Sequence, residues 1–164
     1  MRQILNPIKS ILLPKNYYQN KNILITGGGS GLGKQMAITY SELGANVSII
    51  GRKEDKLKKT SLQIQDLTQN EVKYHSLDVR DNQAINDLAN KLEKEKQLPN
   101  IVINNAAGNF IARSETLSNN AWNSVIDIVL KGTINMTTEL GKKMISNKKP
   151  GIFLNISTTY AETG

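Results

Sequence analysis

The segment Thr26-Gly27-Gly28-Gly29-Ser30-Gly31-Leu32-Gly33 follows the apolar run Asn22-Ile23-Leu24-Ile25 and opens a stretch with helical spacing. A strand, a glycine-rich turn and a helix in that order restrict the fold sharply. The turn lets backbone approach an anionic group with no Cβ in between, and the helix start offers unpaired N–H groups to negative charge. That arrangement suits a dinucleotide pyrophosphate. A glycine cluster by itself is weak evidence, but a second strand pattern, Asn46-Val47-Ser48-Ile49-Ile50, follows and ends in Gly51-Arg52-Lys53.

The end of that second strand bears on the choice of cofactor. An acidic residue there would hydrogen-bond a ribose 2′-hydroxyl, as in NAD sites. Arg52 and Lys53 stand there instead, about 20 residues past the last glycine, where two cations suit a 2′-phosphate. NADPH is therefore expected over NADH. The plainer reading of the same pair is the first turn of a solvated helix.

Composition narrows the class. With 38% hydrophobic and 21% charged residues, the 164-residue chain reads as a globular domain with one sizeable core. No apolar run approaches the length that spans a bilayer, so stable membrane insertion is not expected. The absence of cysteine excludes disulfides and cysteine-based metal sites or catalysis, and no metal site is expected. The formal charge of +7 invites a nucleic-acid reading. The basic residues are dispersed and accompany no nucleic-acid motif, so no such partner is expected, and a positive field equally suits polyanionic ligands.

Residues 1–20, acid-free and broken by Pro7 and Pro14, are expected to form an extended arm before a domain over 21–164. Helical spacing runs from Leu32 to Leu43, with Ala37, Tyr40 and Leu43 on one face and Gly44 as the cap. A second helix is expected over Leu57–Leu67 and a third strand over Val72–Leu77. Asp81 is placed to cap a third helix running to Leu98, where Pro99 stops it. Ile101-Val102-Ile103 reads as a short buried strand, and Ile152–Ile156 as a fifth. Between them a long helix is expected over Ala121–Met144, with Trp122, Val125, Ile126, Val129, Leu140 and Met144 as core candidates. Alternating strands and helices point to an α/β fold, a doubly wound parallel sheet of Rossmann type.

Ligands bind such sheets at the carboxyl ends of the strands. The third strand leads there to Asp78, whose carboxylate suits an adenine amino group. The fourth leads to Asn104-Asn105-Ala106-Ala107-Gly108-Asn109-Phe110, small residues and amides beside a ligand. The fifth leads to Ser157-Thr158-Thr159-Tyr160, a run of hydroxyls. His75, inside the third strand, reads as a packed or solvated strand residue with no chemical role.

Thr26-Gly27-x-x-x-Gly31-x-Gly33, Asp78-Val79 and Asn104-Asn105-Ala106-x-Gly108 resemble the short-chain dehydrogenase/reductase family. Residues 104–110, Ile126-Asp127-Ile128-Val129-Leu130 and Tyr160-Ala161-Glu162-Thr163-Gly164 resemble, within it, the 2,4-dienoyl-CoA reductases of mitochondrial type. The likeness runs from about Ile11 to Gly164. Val129 stands where most of the family has asparagine, and Thr158 where it has serine. Both departures fit the dienoyl-CoA branch, and Tyr160 separates the mitochondrial from the peroxisomal type.

The resemblance implies NADPH-dependent reduction of a 2,4-dienoyl-CoA to a 3-enoyl-CoA in β-oxidation of unsaturated fatty acids. Gly27, Gly28, Gly29, Ser30, Gly31 and Leu32 would then meet the cofactor phosphates, Arg52 the 2′-phosphate with reach to the CoA, and Asp78 the adenine. Tyr160 and Asn109 would be the catalytic donors to the thioester oxygen. Arg80, Phe110 and Ser118 would hold the acyl-CoA substrate. Plainer roles stand beside these: Ser118 as a helix cap, Phe110 as core and Arg80 as a surface residue. A homotetramer in the mitochondrial matrix is the setting the resemblance implies, with the cytoplasm and the peroxisome as open alternatives.

The same family places a lysine, further strands and much of its substrate pocket beyond the position of Gly164. The chain is accordingly expected to represent the amino-terminal part of the family's domain, without catalysis of its own. Two further readings stay open: another NADP-dependent short-chain reductase, or a non-catalytic nucleotide-binding remnant.

Overall fold

The computed structural model describes residues 13–108 and 112–157. Five parallel strands form one sheet in the order β3-β2-β1-β4-β5, with β1 at Asn22–Thr26, β2 at Asn46–Gly51, β3 at Val72–Ser76, β4 at Ile101–Asn104 and β5 at Ile152–Asn155. The strand order reverses between β1 and β4, which creates the crevice where such sheets bind ligands.

Helices cover both faces, and strand alternation decides which side chain serves which face. Ile23 and Ile25 of β1 join Val47, Ile49 and Ile103 beneath α1 (Gly31–Glu42) and α2 (Glu54–Thr68). Leu24, between them, joins Ile50 and Val102 on the other face, under α3 (Asn82–Lys94) and α5 (Gly132–Ser146), which contribute Ile85, Leu88, Met136 and Leu140. Burial on both faces explains why β1 reads as an unbroken apolar run. Among the described residues β5 pairs only with β4, and Ile152 and Leu154 on that edge are exposed. No helix among the described residues is long and apolar enough to cross a membrane.

Three expectations are corrected. The described part of the arm is not extended: tight turns run through Lys15–Asn20, and Tyr18 seats its ring edge-on against Tyr40 with centroids 5.1 Å apart. The third helix ends at Lys94, not Leu98. Lys96 takes a left-handed φ of 57°, its N–H donates to the Glu93 carbonyl, and the Gln97 N–H donates to that of Leu92 at 2.8 Å. A lysine thus performs the reversal that glycine usually performs, and Leu98 is tucked back into the core.

The long helix is interrupted. α4 (Asn119–Ile126) passes into a π-helical turn over Asp127–Lys131 before α5 begins. The extra residue in a π-turn rotates the preceding face by about one helical step, roughly 100°. Met136, Leu140 and Met144 consequently face the sheet. Trp122, Ile126 and Val129 are turned outward, with Trp122 47% exposed, while Ile128 packs inward in place of Val129.

His75 lies half-buried on edge strand β3, and its Nε2 is buried with no hydrogen-bond partner among the described residues. Burial, with the positive charges of Lys91 and Lys73 outweighing Glu95, lowers its pKa to about 4. The unfolded chain therefore takes up a proton near pH 6.5 that the folded chain refuses until about pH 4. Stability should decline as pH falls through that window, and His75→Leu should flatten the decline. Urea midpoints measured between pH 7 and 4.5 test this, and a wild-type midpoint constant over that range would contradict it.

Candidate functional site

A hydroxyl at the end of β1 organises the crevice. Thr26 is 1% exposed. Its Oγ1 accepts from the backbone N–H groups of Asn105 and Ala106, each at 2.9 Å, and donates to the Ile103 carbonyl at 3.3 Å. One donor and two lone pairs are all that a hydroxyl has, so Thr26 is saturated. The Asn105 side-chain amide returns the connection by donating to the Thr26 carbonyl at 2.9 Å. Strands β1 and β4 are thereby fastened at the switch point.

The glycine turn is pressed against this fastening. A Cβ on Gly33 would fall 2.5 Å from the Gly27 carbonyl oxygen and 2.7 Å from Asn105 Nδ2, so only glycine lets α1 approach so closely. Gly31 has a φ of 53°, the left-handed conformation that a side chain resists. The first turn of α1 holds no acid, and Ser30 at its N-cap makes no side-chain capping bond. Ser30 and the amide end of α1 are therefore available to an anion.

Around the turn lies a cleft of about 320 Å³. The sequence-derived residues Gly27, Gly29, Ser30, Arg52 and Asp78 line it together. Gly28 serves packing instead: a Cβ there would sit 2.6 Å from the Ile49 side chain. Leu32 is exposed, and neither it nor Gly31 lines the cleft. Ala106 and Ala107, expected as small residues beside the ligand, line it too, whereas sequence reasoning missed Lys56, Leu57 and Ile128 as lining residues. For Lys56 a signal existed, since it lies three residues after Lys53 at the start of a helix.

Asp78 is committed within the chain. Arg80 donates from Nη2 to Asp78 Oδ2 at 2.6 Å and from Nε to Oδ1 at 3.0 Å, and its backbone N–H donates to Oδ1 at 3.0 Å. These bonds hold the Asp78 carboxyl below its usual range. Asp78 is thus ionised and oriented, and Arg80 stands beside a neighbouring hollow with Asn82 and Lys131 rather than in the cleft. Ser118 accepts from the Ala121 N–H at 3.2 Å, so it caps α4. Asn109, Phe110, Thr158 and Tyr160 lie outside the described residues.

A narrow backbone turn without Cβ atoms, an open helix N-terminus and Arg52, Lys53 and Lys56 on one rim fit an anionic dinucleotide. Glycines and Ser30 would hold its phosphates, and the basic rim a further anionic group. Thr26 governs this geometry. Thr26→Val, which strands two half-buried N–H groups, should cost about 1–3 kcal/mol, whereas Thr26→Ser should stay close to the parent. Urea unfolding of both variants checks this, and a valine variant of parental stability would contradict it.

Comparison with known proteins agrees with the geometry. The sequence model of the short chain dehydrogenase family matches residues 21–164. An uncharacterised oxidoreductase of Caenorhabditis elegans is 44% identical over 96% of this chain and 50% of its own length. A probable 2,4-dienoyl-CoA reductase of the same organism is 42% identical over 95% of this chain and 51% of its own. The crystal structure of a short chain dehydrogenase from Bacillus anthracis superimposes with a TM-score of 0.81 at 40% identity, covering 88% of this chain and 60% of that one. The chain spans about half the length of the curated relatives it matches. The match over residues 21–164, carried on a 3-2-1-4-5 parallel sheet with its glycine turn at the switch point, makes this chain a member of the short chain dehydrogenase family.

Proposed function

We propose that this chain provides the NADPH-binding half of a 2,4-dienoyl-CoA reductase. The observation that carries the cofactor reading is the cleft rim at the end of β2, where Arg52 and Lys53 occupy the place of the acid that would favour NAD. The substrate reading is supported by the 42% identity to a probable 2,4-dienoyl-CoA reductase, and by Val129, which departs from the usual family pattern in the direction of that branch.

A nicotinamide held at this cleft would supply the hydride that the distal end of the conjugated acyl chain accepts. As it arrives, negative charge grows on the thioester oxygen, and donors aimed there stabilise the transition state more than the ground state. Tyr160 and Asn109 are assigned that task. A water held nearby protonates the dienolate at its α-carbon. Arg80 and Phe110 bind the acyl-CoA, Arg80 through the edge of its guanidinium that Asp78 leaves open. Ser118, already a helix cap, keeps a place at the substrate through its exposed position. A homotetramer in the mitochondrial matrix completes the reading for the whole protein, with residues 21–164 as its nucleotide-binding portion.

Two experiments test the proposal. Arg52→Asp should weaken NADPH binding by about 10- to 100-fold and leave NADH unweakened, since one charge-assisted pair becomes a repulsion. Fluorescence titration of both nucleotides reads this directly, and equal losses on both would refute the cofactor assignment. In protein competent for turnover, Tyr160→Phe should lower kcat on a 2,4-dienoyl-CoA by about 10²-fold. Full activity of that variant, or turnover of other short-chain substrates but not of dienoyl-CoA, would refute the substrate assignment.

A further inference from the structure

Two residues of α2, one helical turn apart, meet the same glycine of the turn. The buried Thr60 hydroxyl donates to the Gly29 carbonyl at 3.0 Å. Lys56 lays its methylene stem beside Gly29, where an added Cβ would sit 3.7 Å from Lys56 Cγ and 3.8 Å from Cδ. Long basic side chains commonly cover surface with the stem and keep the charged head in water. Here the stem runs along the rim of the cleft that Arg52, Lys53 and Ser30 also line.

The Lys56 ammonium forms no ion pair among the described residues, whereas other cations are committed: Arg80 to Asp78, Lys131 to Asp127, Lys142 to Glu139 and Lys143 to Glu93. Asp78, the acid that lines the cleft, is neutralised by Arg80. The β2 end of the cleft therefore presents three cations and no free carboxylate. Elsewhere on α2, Lys58 and Lys59 share a shallow surface with Asp55 and Asp66.

We propose that Lys56 is a third specificity-determining cation for the ribose 2′-phosphate, acting with Arg52 and Lys53. This rests on the reading of the cleft as an NADPH site. A phosphate monoester carries close to two negative charges on three acceptor oxygens at neutral pH, which leaves room for a contact beyond two cations. The pyrophosphate is served from the other side, by the amide end of α1. Lys56 lines the cleft with Arg52 and Lys53, and its stem passes beside Gly29, so its ammonium is within the same rim as theirs.

The test compares NADPH and NADH affinities of the purified chain with those of Lys56→Met, which keeps the stem and removes the charge. Lys59→Met removes an equal charge outside the cleft, and Lys56→Gln repeats the test with a polar end. NADPH binding should weaken about fivefold in both Lys56 variants, with NADH changed less than twofold and Lys59→Met unchanged for both. Competition by 2′,5′-ADP should weaken in parallel with NADPH. Unchanged NADPH affinity, or equal losses on NADPH and NADH, overturns the role of Lys56 while a parent preference for NADPH keeps the cofactor reading intact. A parent chain with no preference for NADPH overturns both.

Discussion

The Thr26 hydroxyl spends its one hydrogen and both lone pairs on the end of β4, and the rest of the site is arranged around that junction. Parallel strands joined through helices have no turn to fix their tips relative to one another. At the place where strand order reverses, that freedom would leave the crevice without a defined width. The Thr26 bonds and the reciprocal Asn105 bond remove it. Gly33 then lets α1 settle against the junction, so the helix start and its open N–H groups are aimed at a fixed point.

Charge is distributed by the same logic. β2 ends beside the glycine turn because it pairs with the whole length of β1, from Asn46 opposite Asn22 to Ile50 opposite Thr26. The residues that follow β2 therefore reach the cleft without a long loop. α2 begins at once and folds back over the turn, held by Thr60 on Gly29. Across the cleft, the bidentate Arg80 pair keeps Asp78 ionised while cancelling its field. The cleft is thus positive at its β2 rim and close to neutral at its β3 rim.

Much of this was legible in the sequence. The glycine spacing, the apolar runs at Ile23–Ile25 and Ile101–Ile103, and the basic end of β2 are local signals whose structural meaning is nearly independent of context. Gly44 was readable as a cap for the same reason. The illegible parts depend on longer-range packing. Lys96 closes α3 in a left-handed conformation that lysine's own preference would not suggest, because the chain must return Leu98 to the core. The π-turn over Asp127–Lys131 adds a residue that hydropathy cannot see, so a regular stripe through Trp122 and Val129 was assigned to the wrong face. Asp78 and Arg80, two residues apart, each looked free for a ligand because their mutual bonding depends on the bend after β3. Lys56 looked like one more lysine in a charged helix, and only the fold of α2 over Gly29 distinguishes it from Lys58 and Lys59.

In the proposed function, the glycine-turn cleft at the β1/β4 switch point holds an anionic dinucleotide. Amide chemical shifts followed by NMR during NADPH addition test it most directly. Perturbations should concentrate at Gly27–Gly33, Gly51–Lys56, Asp78–Val79 and Ala106, with the amino ends of the strands unaffected. Perturbations confined instead to the polar hollow around Asn22, Asn46 and Asn100 at the opposite end of the sheet, or none at saturating nucleotide, would contradict it.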